Sequence, residues 1–293
     1  MIQEISNSIR VFRDDIFPFL GGGNKGRKIL SIGSDVKDKG CNAIVTTGGI
    51  QSNHCRAAAI LAAQNKWKCT LVLHGSRDRF YNEGGNALLM RSAGVETKFV
   101  EPAEISDAMD AAMNRYTLQG HKPYYIWGGG HTPEGGLAYI EAAKELKLYC
   151  DSHNWYPDHI FLASGTGSTQ SGLMAGLSLV GLKSNVIGIS VARKSDAATK
   201  IVYDFYKELC ARYNIKDNVE RAFVSDDYLC GGYEKYGSEI KELCSNSIKD
   251  YGFALDSTYS GKAFWGMKDI IQKEKLTGNI LFWHTGGFLN YLS

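Results

Sequence analysis

Two patterns of apolar positions alternate along the chain: short continuous runs, and longer stretches with apolar residues three or four apart. A short strand is expected over 9–12, followed by polar Arg13-Asp14-Asp15. Ile29, Ile32 and Val36 recur at near-helical spacing and predict a helix over about 25–39, with Gly40 as its stop. The same reading gives strands over 42–46, 69–73, 95–100 and 123–127. Helices are expected over 56–65 and 86–92, with another running through Ala108 to Tyr116. The second half repeats the alternation. Helices fall over 135–146, 170–179, 197–213, 238–249 and 261–272, and strands over 159–163, 186–191, 220–224 and 280–283. Short strands alternating with helices of a dozen residues predict an α/β fold with mostly parallel sheets. No repeat of fixed period and no low-complexity linker interrupts it.

Composition narrows the function classes. The 293 residues are 44% hydrophobic and 22% charged, ordinary values for a globular protein. A formal charge of +2 gives no reason to expect nucleic acid or an anionic membrane as partner. No apolar run approaches the roughly 20 residues that span a bilayer. Met1-Ile2-Gln3-Glu4 lacks the start of a signal segment, so a cytoplasmic location is expected. The seven cysteines are odd in number and contain no C-x-x-C pair, which predicts reduced, mostly buried thiols and neither a disulfide frame nor a zinc site.

In parallel α/β sheets, ligands bind beyond the carboxyl ends of the strands. Four polar or glycine-rich segments stand at such ends: 46–53, 128–131, 165–169 and 284–287. Gly165-Thr166-Gly167-Ser168-Thr169 joins a strand to a helix N-terminus, where free amides, hydroxyls and the helix dipole suit a phosphate dianion. It is neither a dinucleotide fingerprint, since Gln170 takes the last glycine position, nor a nucleotide-hydrolase loop, which needs G-K-[ST].

Gly21-Gly22-Gly23-Asn24-Lys25-Gly26-Arg27-Lys28 offers a tight turn, a candidate helix cap in Asn24, and a lysine in the first helical turn. The helix dipole and desolvation both disfavour that ammonium and would expose a nucleophilic amine near neutral pH. A glycine loop leading into a solvated basic turn fits these eight residues equally well. Ser52-Asn53-His54 and Tyr259-Ser260-Gly261-Lys262 precede helices and read either as caps or as polar groups facing a ligand. Tyr259 could serve as an acid/base group were its pKa lowered, and Thr285 is either a turn residue or a ligand contact. No G-x-S-x-G elbow and no zinc-enzyme histidine spacing occurs. A lysine amine, a phosphate cradle and hydroxyls at one sheet edge suggest an aldehyde- and phosphate-bearing cofactor, pyridoxal 5′-phosphate.

Five segments, Gly22-Gly23-Asn24-Lys25-x-Arg27-Lys28, Gly48-Gly49-Ile50-Gln51-Ser52-Asn53-His54, Gly165 to Thr169, Tyr259-Ser260-Gly261-Lys262 and His284-Thr285-Gly286-Gly287, resemble the D-cysteine desulfhydrase and 1-aminocyclopropane-1-carboxylate (ACC) deaminase family. The likeness covers nearly the whole chain in order. It implies a pyridoxal-phosphate enzyme of the tryptophan-synthase-β fold, with a small domain over 27–134 and a large one over 1–26 and 135–293. The cofactor would lie between the two, and the enzyme would be a homodimer. It further implies that Lys25 carries the cofactor aldehyde and moves the substrate Cα proton. Asn53 would bond the 3′-oxygen, Gly165, Thr166, Gly167, Ser168 and Thr169 the phosphate. Ser52 and His54 would face the substrate carboxylate and reacting centre, with Tyr233 and Tyr259 opposite. Ser260 and Thr285 would lie near the pyridine nitrogen.

ACC deaminases carry Glu and Leu at those last two positions, and the desulfhydrases carry hydroxyls. The hydroxyls favour elimination from D-cysteine, giving pyruvate, ammonia and sulfide. ACC deamination, or a β-replacement on another β-substituted amino acid, is the alternative. Departures from the family pattern are Gly26 in place of Thr or Val, a start close to Arg13, and a bulkier pocket side at Phe264, Trp265 and Phe288. Outside the enzyme class stands a silent amino-acid-binding protein of the same fold, against which intact Lys25, Ser52 and Tyr259 argue.

Overall fold

Runs such as Ile160-Phe161-Leu162 and Val186-Ile187 are buried on both faces, as parallel strands covered by helices must be. A computed structural model describes all 293 residues. Its strands are β1 (Ile2–Glu4), β2 (Ile9–Arg13), β3 (Ala43–Gly49), β4 (Lys68–His74), β5 (Glu96–Phe99), β6 (Pro123–Tyr125), β7 (His159–Ser164), β8 (Asn185–Ser190), β9 (Phe223–Ser225) and β10 (Ile280–His284). The helices are α1 (Gly23–Asp38), α2 (Asn53–Asn65), α3 (Arg77–Asn82), α4 (Gly85–Ser92), α5 (Ile105–Leu118), α6 (Pro133–His153), α7 (Ser168–Val180), α8 (Ser195–Arg212), α9 (Ser238–Tyr251), α10 (Ser260–Lys273) and α11 (Phe288–Tyr291). One sheet has the order β1-β2-β10-β7-β8-β9, the other β5-β4-β3-β6. Every pairing is parallel except β1 with β2.

Each sheet has its own apolar layers. Leu146 of α6, Leu173 of α7 and Leu209 of α8 cover one face of the six-stranded sheet, and Ile240 of α9 and Met267 of α10 the other. Ile60 aside, the apolar face of α2 joins Leu71 and Leu73 of β4 in the core of the four-stranded sheet. Helix α1 packs on both α2 and α6, so the lysine near its start belongs to both halves of the molecule.

The expected alternation holds, with three informative differences. Strand β1 was not expected, because three residues are too few to show a period and their burial is partial. Helix α6 runs on to His153, beyond the expected end at 146. Cys150 extends its buried face, and Asn154, at φ 45°, closes it in the left-handed conformation. Asn24 does not cap α1: three glycines at positive φ (84°, 53° and 79°) start the helix at Gly23, and the Asn24 amide donates to the Thr285 carbonyl across the cleft.

A buried ion pair fixes the approach to this turn. Asp14, wholly buried, accepts from Arg27 Nε at 3.1 Å and Nη2 at 2.8 Å, from Tyr139 Oη at 2.5 Å and from Trp283 Nε1 at 2.9 Å. Arg27 also reaches Glu145 and lies over the ring of Phe17. The end of β2, α1, α6 and β10 therefore meet at one carboxylate.

Candidate active site

The carboxyl ends of β7 and β10, the start of α1 and the start of α2 surround one polar cleft. It is lined by Asn24, Lys25 and Asn53, by Ala163 to Gly167, Thr169 and Gln170, and by Tyr259 and Thr285 to Gly287. Thus Lys25, Asn53, Gly165, Thr166, Gly167, Thr169, Tyr259 and Thr285 come together, although they lie on segments spread over the whole sequence. Ser52, His54, Ser168, Tyr233 and Ser260 do not line this cleft, and each has another place.

Lys25 projects from the first turn of α1, and its Nζ donates to the Gly129 carbonyl at 2.9 Å. Burial pulls its pKa down to about 8, against a hydrogen bond with Lys28 that pulls upward. The amine is therefore largely available as a nucleophile in mildly alkaline solution. The rate at which the protein traps an aldehyde at Lys25 should rise with pH and level off above a midpoint near 8. Stopped-flow absorbance against pH measures this, and a midpoint above about 10 would mean a solvated lysine.

Lys28, one turn on and on the same face of α1, is 1% exposed. Its Nζ donates to Ser168 Oγ at 2.7 Å, and no carboxylate balances it. Gly167, at φ 90°, turns β7 into α7, whose first amides have no intrahelical acceptor. A Cβ at Gly167 would press on Val202 at 2.9 Å, so only glycine makes this turn. His131 Nδ1 donates to the Thr166 carbonyl at 2.8 Å, and Arg193 to that of Gly165, which leaves the amides of the loop for a ligand. Burial and the nearby Lys28 hold His131 neutral, with a pKa near 4. Burial, then the neighbouring Lys25, push the Lys28 pKa well down. An anion beside it is what would hold it as an ammonium, and with the hydroxyls and helix amides the place fits a phosphate dianion. Lys28→Met should weaken phosphate-anchored cofactor binding about tenfold to a hundredfold, measured by equilibrium titration.

Asn53 exchanges hydrogen bonds with Asn86 and Asn290 at the mouth of the cleft. Ser52 caps α2, its Oγ accepting from the Cys55 amide at 3.2 Å. His54 is 2% exposed, and its Nε2 sits 2.8 Å from Thr46 Oγ1. That hydroxyl gives its proton to the Ile126 carbonyl, so His54 Nε2 is the donor and Nδ1 carries the lone pair. Desolvation, then the charges of Lys25, Lys28 and Arg56, push its pKa well down. The ring is thus a neutral packing group turned toward Gly130 and away from the cleft.

Tyr259 and Tyr233 share a hydrogen bond between their hydroxyls. Desolvation raises Tyr233 to about 12 and Tyr259 well above the usual range, so both hydroxyls keep their protons, one donating to the other, and neither has the lowered pKa of a base. Lys262, wholly buried, holds the Tyr233 loop by donating to the carbonyls of Leu229 at 2.9 Å and Gly232 at 2.8 Å. Ser260 is buried behind the cleft wall and donates to Asp256 at 2.6 Å. Asp256 also takes the amides of Thr258, Tyr259 and Ser260 and so caps α10. Burial raises this carboxyl despite those bonds. Thr285, in contrast, stands on the cleft wall.

Phe264 and Trp265 pack in the core beneath α10, and Phe288 lies at the surface, so none of the three narrows this cleft. Gly26 has a local cause, because a Cβ there would meet Phe19 Cβ at 2.8 Å. Sequence reading missed Lys28 and Asp256 as site residues. The i, i+3 step from Lys25 and the Asp-x-x-x-Ser capping interval were the available signals. Asn86, Asn290 and Arg56 carry no local signal.

The family model described as "Pyridoxal-phosphate dependent enzyme" matches residues 6–286. A putative 1-aminocyclopropane-1-carboxylate deaminase of Pyrococcus horikoshii is 32% identical over 288 residues, 97% of this chain and 86% of that protein. A D-cysteine desulfhydrase of Yersinia enterocolitica is 30% identical over 289 residues, covering 97% and 87%. The crystal structure of an ACC deaminase homologue superposes with a TM-score of 0.90 at 30% identity, over 100% of this chain and 90% of that one.

Proposed function

Since the chain belongs to the pyridoxal-phosphate-dependent enzymes, in the branch of the ACC deaminases and D-cysteine desulfhydrases, we propose that it eliminates hydrogen sulfide from D-cysteine. With one water consumed, the products are pyruvate, ammonia and hydrogen sulfide. When bound, pyridoxal phosphate supplies an electron sink for the carbanion formed at the substrate Cα.

The chain's own residues divide the work as follows. Lys25 would hold the cofactor aldehyde and, when its amine is free, would take the substrate Cα proton. Lys28 and the loop from Gly165 to Thr169 would hold the phosphate, and Asn53 would meet the 3′-oxygen. Ser52, outside the cleft lining, caps α2 behind Asn53, and Tyr259, bonded to Tyr233, would give the leaving sulfur a hydrogen bond. The observation that carries the choice of substrate is that no carboxylate lines the cleft, Thr285 being the polar group at its β10 wall. With a hydroxyl there and no carboxylate, the cofactor would be a weak electron sink, sufficient where a thiolate leaves from Cβ. What favours the second reading, ACC deamination, is Asp256, a buried carboxylate one hydroxyl behind the wall at Ser260.

The division into a 27–134 domain and the remainder belongs to the same proposal, supported by a four-stranded sheet that lies wholly within 27–134. So does a homodimer, which light scattering on the purified protein tests. No helix is long and apolar enough to cross a membrane.

The test is absorbance of the cofactor-loaded protein before and after D-cysteine, with pyruvate and sulfide assayed alongside. A spectral change with both products supports the proposal. Faster 2-oxobutanoate from ACC than pyruvate from D-cysteine moves the assignment to deamination.

A further inference from the structure

Arg56, on α2 one turn after Asn53, is 1% exposed and has no acidic partner. Its Nη1 donates to the Leu20 carbonyl at 2.7 Å, and Nη2 to those of Gly21 at 3.3 Å and Gly22 at 3.2 Å. Its Nε donates to Asn86 Oδ1 at 3.2 Å. Desolvation lowers its pKa to about 10. A buried, uncompensated guanidinium is costly, so its arrangement calls for a reason.

A guanidinium has donors and no acceptor, so the direction of every bond it makes is fixed. Asn86, wholly buried, must therefore turn its oxygen to Arg56 and its amide nitrogen the other way. That nitrogen donates to Asn53 Oδ1 at 3.1 Å and to Asn290 Oδ1 at 3.2 Å. A second fixed point is the Gln51 carbonyl, which can only accept. It takes Asn290 Nδ2 at 3.1 Å and Asn86 Nδ2 at 3.2 Å. The oxygen of Asn290 consequently faces Asn53, whose Nδ2 lies 2.5 Å away. From a pure donor at one end and a pure acceptor at the other, both chains reach Asn53 with the same result. Its oxygen is taken, its nitrogen is outward, and one of the two amide protons is left for the cleft it lines.

We infer that Arg56, Asn86 and Asn290 are positioning residues that fix Asn53 as a hydrogen-bond donor toward an anionic oxygen of the bound cofactor. The inference rests on the reading that the cleft holds pyridoxal phosphate with Asn53 at its 3′-oxygen. A free carboxamide turns over readily, and in the turned state its oxygen would meet an anion. Here turning breaks the bonds to Asn86 and Asn290 together. Arg56 also clamps the carbonyls of the loop that leads into Lys25, so one side chain holds both cofactor-facing groups, from two different elements, in register.

Asn86→Asp tests this, because it keeps the shape and the bond to Arg56 but removes the donor that holds Asn53. Two ligands are titrated: pyridoxal 5′-phosphate and its 3-deoxy analogue, which lacks the oxygen in question. Asn86→Asp should bind pyridoxal phosphate about tenfold to a hundredfold more weakly than the parent, the loss of one charge-assisted hydrogen bond. The 3-deoxy analogue should bind variant and parent within about threefold. Asn290→Leu, which removes one arm on the half-buried α11, should show the same selective loss and serves if Asn86→Asp does not fold. Equal losses for both ligands, or none for either, would overturn the relay. A parent protein that binds neither ligand would bring down the cofactor reading itself, and the relay with it.

Discussion

Lys25→Ala is expected to lower turnover roughly a thousandfold or more while the protein still takes up cofactor through its phosphate. Two amines lie at the start of α1, Lys28 buried and Lys25 partly so, and only one can do the chemistry. Lys28 is held on Ser168 at the phosphate loop, whereas Lys25 lines the cleft with its amine on the Gly129 carbonyl. The variant should lose the visible band of a lysine-bound aldehyde and bind pyridoxal phosphate only reversibly, so that it washes away on gel filtration. Lys28→Met should keep the band at saturating cofactor. The opposite pattern, with the band lost from Lys28→Met and kept in Lys25→Ala, would exchange the roles of the two lysines.

Asp14→Ala carries the largest expected effect on stability, about 3–5 kcal/mol. Removing this carboxylate leaves Arg27 buried with only the half-exposed Glu145 for company, and leaves the Tyr139 hydroxyl and the Trp283 indole N–H without their acceptor. Leu-to-Ala changes act through a cavity, whereas here the cost comes from orphaned donors and charge. Denaturant unfolding of the cofactor-free protein gives the number by linear extrapolation. A loss below about 1 kcal/mol would mean that water reaches the pair and replaces the missing bonds.

Periodicity made the layered α/β class legible, because core residues such as Ile29, Ile32 and Val36 obey local spacing. Strand ends followed from glycine-rich punctuation; three of the four such segments, 46–53, 165–169 and 284–287, contribute to the cleft, and the fourth supplies the Gly129 carbonyl that holds Lys25. Elsewhere, local rules misled where a distant segment supplied the partner. Asn24 looks like a cap, yet the cap-like bond at that amide comes from Thr285. His54 looks like a site residue because its neighbours are, but a helix turns each successive side chain by about a quarter turn, and that points His54 at Thr46. The acidic neighbour of Ser260 was hidden for another reason. A capping interval is read as a cap, and nothing in it tells that the serine hydroxyl, too, is drawn to the carboxylate.

Strand β2 pairs with β10, and Asp14 with Trp283 across 269 positions of chain. Pairings of that separation are reached late, since a long loop must close before any contact rewards it. A ribosome releasing this chain exposes all four strands of the β5-β4-β3-β6 sheet before β7 appears, so that sheet can consolidate first. The segment bearing β2 meanwhile has only β1 beside it and waits for β10. Lys25 is thus made early and the last stretch of the cleft wall, Thr285 to Gly287, late, so the cleft is complete only once synthesis has passed β10.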